Sequence, residues 1–95
     1  MRLNQKYIQT IKEAFSNVFK EGEVYLFGSR VDDSKKGGDI DLYLVIKDKT
    51  DLLRKKIKFL AKIKRVLGEQ KIDVVFNQDS NRLIEQEARQ WGIKL

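Results

Sequence analysis

Between Asp39 and Ile46 the chain alternates, with Ile40, Leu42, Leu44 and Ile46 at every second position and Asp39, Asp41, Tyr43 and Val45 between them. Side chains on a strand point alternately to its two faces, so this is a strand with one face to bury and another that carries two acids together. A one-residue slip would put those acids into the core, so the pattern fixes the register as well as the element. Two further segments read as strands. Val24-Tyr25-Leu26-Phe27 is rich in aromatic and branched residues and ends at Gly28-Ser29. Lys71 to Phe76 sets Ile72, Val74 and Phe76 on one face and Asp73 and Val75 on the other.

Three segments have helical spacing instead. Asn4 to Lys20 aligns Ile8, Ile11, Phe15 and Val18, with Asn4 as a start and Gly22 as a stop. From Thr50 or Asp51 to Leu67, closed by Gly68, the stripe is Leu53, Ile57, Leu60, Ile63 and Leu67. A last helix opens at Asp79 or Ser80 and carries Leu83, Ile84, Ala88 and Trp91 towards Gly92. The expected order is α-β-β-α-β-α. It forms an α+β fold, a small mixed β-sheet with helices packed on one face, in one domain over residues 1–95. The other face of that sheet carries Asp39, Asp41 and Asp73.

Composition narrows the chemistry. Without cysteine there is no disulfide or thiolate metal site, and without histidine there is no imidazole base, ligand or triad. What remains is carboxylate, Lys, Arg, Tyr and hydroxyl. No apolar run approaches a membrane span, and the N-terminus lacks the apolar core of a signal peptide, which points to the cytoplasm.

Asp39 and Asp41 project together, roughly 6–7 Å apart along the strand. Asp73 joins them if its strand pairs alongside. Three carboxylates at one point repel unless a cation lies between them, and oxygen-only ligands select Mg²⁺ or Mn²⁺. Two such ions stabilise the attacking and leaving oxygens of an in-line phosphoryl displacement. In that scheme Asp39 and Asp41 bridge both, and Asp73 binds the catalytic ion near the attacking hydroxyl. Eleven residues before Asp39, Gly28 lets backbone approach a phosphate, Ser29 donates to it, and Arg30 offers a planar fork to a triphosphate. Each piece alone is commonplace, whether an acid pair at a strand start, an ordinary turn or an exposed strand acid. Neither a Walker lysine nor a G-x-G-x-x-G is present.

Gly28-Ser29, then Gly38-Asp39-Ile40-Asp41-Leu42, then Asp73 resembles the pattern of the DNA polymerase β superfamily of nucleotidyltransferases, and within it the minimal nucleotidyltransferases (MNT), from Leu3 to Trp91. The resemblance implies transfer of AMP from ATP to a hydroxyl with release of pyrophosphate. It assigns Gly28 and Ser29 to the triphosphate and Asp39, Asp41 and Asp73 to two Mg²⁺ ions. Many such proteins are antitoxins of an all-helical HEPN-type ribonuclease toxin, adenylylating one of its tyrosines. A chain without histidine cannot be that ribonuclease. Gly38 stands where many relatives have serine, and Val31-Asp32-Asp33 where many have a further glycine. A domain this small leaves little room for an acceptor lobe, so the acceptor is expected to complete the site. The alternative is a non-catalytic nucleotide-binding module that neutralises its partner by binding alone.

The charge of +6 is concentrated. Lys47 to Lys71 holds ten basic residues and three acidic ones. Lys55, Lys58, Lys62 and Arg65 share a helix face, read first as a solvated surface, next as a contact for an acidic protein, and last as one for nucleic acid, since no aromatics interleave for stacking. Tyr43 is read as half-buried or at the rim of the acid site, and Trp91 as core or a partner contact. A homo-oligomer, or a hetero-oligomer with the partner, is compatible with this reading.

Overall fold

The computed structural model describes residues 5–28 and 39–95. Its elements run α1 (Gln5–Val18), β1 (Glu23–Phe27), β2 (Ile40–Val45), α2 (Leu52–Leu67), β3 (Ile72–Phe76), α3 (Leu83–Trp91) and β4 (Ile93–Lys94). The strands form one mixed sheet in the order β3-β2-β1-β4, antiparallel except for the β2–β3 pair. The α+β class and the three expected strands therefore hold, and β4 is added at the far edge.

The alternating strand behaves as its pattern requires. Ile40, Leu42 and Leu44 are fully buried, and they pack with Val24 and Leu26 of β1 against Ile11, Ala14 and Phe15 of α1 and Phe59 and Ile63 of α2. Phe15, Phe19, Phe59 and Phe76 meet edge-on or tilted within this layer, at centroid distances of 5.4–6.5 Å. Such arrangements let the positive edge of one ring meet the negative face of another. Past the end of β2, Asn77 extends the β2–β3 ladder with its side chain. Its Oδ1 accepts from Ile46 N–H at 2.9 Å, and its Nδ2 donates to Ile46 O at 3.0 Å.

Two expectations need correction. The helices do not share one face. α1 and α2 cover the Ile40–Leu42–Leu44 side, but α3 lies on the opposite side, where Ala88 packs on Phe27 and Tyr43. The small Ala88 side chain lets α3 approach the sheet closely. The buried stripes of the helices are also narrower than their periodicity predicts. Leu53 and Ile57 are 71% and 61% exposed, and in α3 Leu83 and Trp91 are 82% and 64% exposed while Glu85 is fully buried. No helix among the described residues is long and apolar enough to cross a membrane.

Candidate active site

Parallel pairing of β2 and β3 sets Asp41 directly beside Asp73, on the face that α3 partly covers. Adjacent strands bring such neighbours to about 5 Å between Cα atoms. Asp39 stands just before β2 and is drawn to the other strand by Lys71, whose Nζ lies 3.6 Å from its Oδ2. The Asp41 carboxyl is pushed above its ordinary value of 3.8 by burial first, then by the charge of Asp73, that of Asp39, a hydrogen bond with Asp73 that favours its protonated form, and the charge of Glu87. The structure thus brings Asp41 and Asp73 into contact, with Asp39 close enough to be felt. Among the described residues no three acids enclose a single point.

Gly28 closes β1 beside this pair, because Phe27 is the register partner of Asp41. Its φ of +79° lies in the region that side chains with a Cβ avoid. A Cβ there would also run into Asp41 Oδ2. The glycine is thus needed by the carboxylate as well as by the turn. Gly28→Ala is expected to cost about 2 kcal/mol from strain and displacement of Asp41, a fall in Tm of roughly 8–16 °C by thermal unfolding. A Tm within 2–3 °C of the parent, on the same scale, would show that the close approach is relaxed at little cost. Ser29, Arg30 and Gly38, the other residues of the motif, lie outside the described residues.

The sequence reading missed the covering of this face. Glu85 of α3 is fully buried and its carboxylate accepts four hydrogen bonds: from Tyr43 Oη at 3.0 Å, Gln78 N–H at 3.1 Å, Asp79 N–H at 2.7 Å and Arg82 Nη1 at 3.3 Å. Burial pushes this carboxyl up, but the Asp79 N–H, the Tyr43 hydroxyl, the Gln78 N–H and the Arg82 charge outweigh it and hold it below the ordinary value. Tyr43 is therefore neither half-buried nor on the rim. It is fully enclosed, and its hydroxyl is raised, mainly by burial, although a hydrogen bond with Arg89 works the other way. Glu87 reaches Asp41 from the same helix by its charge. One signal was legible. Glu85 is the third residue of its helix, where a glutamate often turns back to satisfy preceding backbone N–H groups.

Comparison with curated proteins finds no match. Residues 9–95 match the family described as Polymerase beta, Nucleotidyltransferase, so the chain belongs to that nucleotidyltransferase family.

Proposed function

We propose that the protein transfers AMP from ATP to a hydroxyl of a protein partner, a tyrosine of an all-helical HEPN-type toxin, and so acts as the antitoxin of a toxin–antitoxin pair. The observation that carries this reading is the pairing of Asp41 with Asp73, in a member of a nucleotidyltransferase family, next to a glycine that only Asp41 and the turn require.

The donor set fits Mg²⁺ or Mn²⁺. It is all oxygen, and Asp41 is held towards protonation by burial and by neighbouring negative charge, the second of which a cation would offset. Asp39, Asp41 and Asp73 would hold the two ions, whose chemistry is to neutralise charge on the phosphate being displaced. Gly28, Ser29 and Arg30 bind the triphosphate. The acceptor oxygen forms a bond to the α-phosphorus as the bond to the bridging oxygen breaks, and pyrophosphate leaves. The hydroxyl proton passes to a carboxylate, for which Asp73 on the outer strand is the exposed choice. In this reading the partner supplies the acceptor and completes the acid face.

Intact-mass measurement after mixing the chain, the partner, Mg²⁺ and ATP tests this. The partner should gain AMP masses, and the gain should vanish with Asp41→Asn. A partner silenced without any gain in mass would replace transfer with neutralisation by binding alone.

A further inference from the structure

On the side of the sheet away from the acids, the seam between α1 and α2 holds two neighbouring cationic clefts, together a groove. One cleft, of about 500 Å³, is bordered by Lys20, Arg54, Lys55 and Lys58, and a second by Lys62 and Arg65, with Asn17 of α1 lining both. Along α2 the groove side carries Arg54 and Lys55, then Lys58, Lys62 and Arg65 at three- and four-residue steps, which set cations about 4.5–6 Å apart along the axis. That is close to the spacing of successive phosphates on an extended nucleic-acid strand.

The charges are largely uncompensated. Lys55 pairs with Asp48 at 3.7 Å, but Lys20, Arg54, Lys58, Lys62 and Arg65 have no carboxylate partner among the described residues. α2 itself contains seven basic residues and no acid. Like charges one turn apart oppose helix formation, and a solvated face has no need of them in such density. Glu13, Asp48 and Asp51 also border the groove, Asp48 in its pair with Lys55, and leave an excess of positive charge there.

Most exposed apolar side chains of α2 point away from this seam, although the half-exposed Val66 lines the second cleft. Leu53 and Ile57, the most exposed aliphatic residues of α2, stand on the other flank of the helix, and Phe19, the one aromatic lining the groove, is engaged by Phe15, Phe59 and Phe76. A protein partner is normally anchored by aromatic or aliphatic side chains at the centre of its contact. A groove lined mainly by charged and polar side chains, with Val66 its one exposed large apolar residue among the described residues, suits a partner recognised chiefly by charge and hydrogen bonds.

We infer that this groove binds the phosphodiester backbone of nucleic acid, without regard to sequence. It is independent of the nucleotidyl-transfer site, since the sheet separates the two. Absence of stacking aromatics, which ranked nucleic acid last for this helix, limits base recognition but not backbone binding.

Fluorescence anisotropy of a labelled single-stranded oligonucleotide of mixed sequence tests the inference on the full chain. Binding should weaken with salt with a log–log slope of about −3 to −4, from five unpaired cations. Lys58→Glu should lose at least roughly tenfold in affinity, and Lys58→Gln less. Lys64→Glu, the same charge change on the other flank, should lose under about threefold, and Asp41→Asn nothing. Equal losses at Lys58 and Lys64 would reduce the effect to net charge and overturn the site. So would the absence of binding at low salt. Displacement of the oligonucleotide by polyglutamate at equal charge concentration would give the groove to an acidic protein instead.

Discussion

Asp41→Asn abolishes transfer and raises thermal stability together. The loss should be on the order of a thousandfold in rate, the several kcal/mol that charge stabilisation at the displaced phosphate is worth. The gain follows from the same geometry. Burial and the charges of Asp73, Asp39 and Glu87 raise the Asp41 carboxyl in the folded state above its ordinary value of 3.8. The folded chain therefore holds that proton more tightly than the unfolded chain, and stability is lost as pH climbs from the unfolded value through the folded one. At neutral pH the charged carboxylate is a net cost, and the amide, which is isosteric and uncharged, removes it. Because Asp41 is only half-buried, solvent screening limits the gain to about 0.5–1 kcal/mol, or roughly 2–8 °C in Tm. Melts in EDTA across pH should show the two proteins converging towards pH 4 and separating towards pH 7. Added Mg²⁺ should stabilise the parent and leave Asp41→Asn unmoved. A variant that melts at or below the parent at neutral pH would mean that Asp41 is not electrostatically strained.

The acid pair was legible because it depends only on strand parity. Once Ile40, Leu42 and Leu44 had to be buried, Asp39 and Asp41 had to face the other way, and Asp73 followed by the same rule on β3. The side taken by α3 was not legible. Its apolar residues Leu83, Ile84, Ala88 and Trp91 suggest an ordinary buried stripe, yet of these only Ala88 is buried, and it shares the contact with Glu85, whose burial is tolerable only with donors gathered from elsewhere. One of those donors, Tyr43, is 42 residues distant, so no local pattern could announce it. β4 spans two residues, too few to alternate. For Leu53 and Ile57, periodicity gave the helix correctly but not the width of the face that one sheet can cover.

Glu85→Ala is expected to cost about 3 kcal/mol, a fall in Tm of roughly 12–24 °C, although the residue makes no contact with the acids. Its removal leaves the buried Tyr43 hydroxyl and the part-buried N–H groups of Gln78 and Asp79 without their acceptor. Unpaired buried donors cost more than the net value of the bonds they lose. Glu85→Gln keeps the volume and one acceptor oxygen but turns a donor towards N–H groups, so it should fall between alanine and the parent. Tyr43→Phe, which loses a single hydroxyl, should cost only about 1 kcal/mol. The pH dependence separates charge from packing. The Glu85 carboxyl is held below its ordinary value of 4.5, so its contribution is complete above that pH and is lost as pH falls through the lower, folded value. The parent should therefore show an acid-side loss of stability that Glu85→Gln lacks. A Glu85→Ala protein that melts within about 3 °C of the parent would mean that water enters to satisfy Tyr43 and the two N–H groups, and that Ala88 alone holds α3 on the acid face.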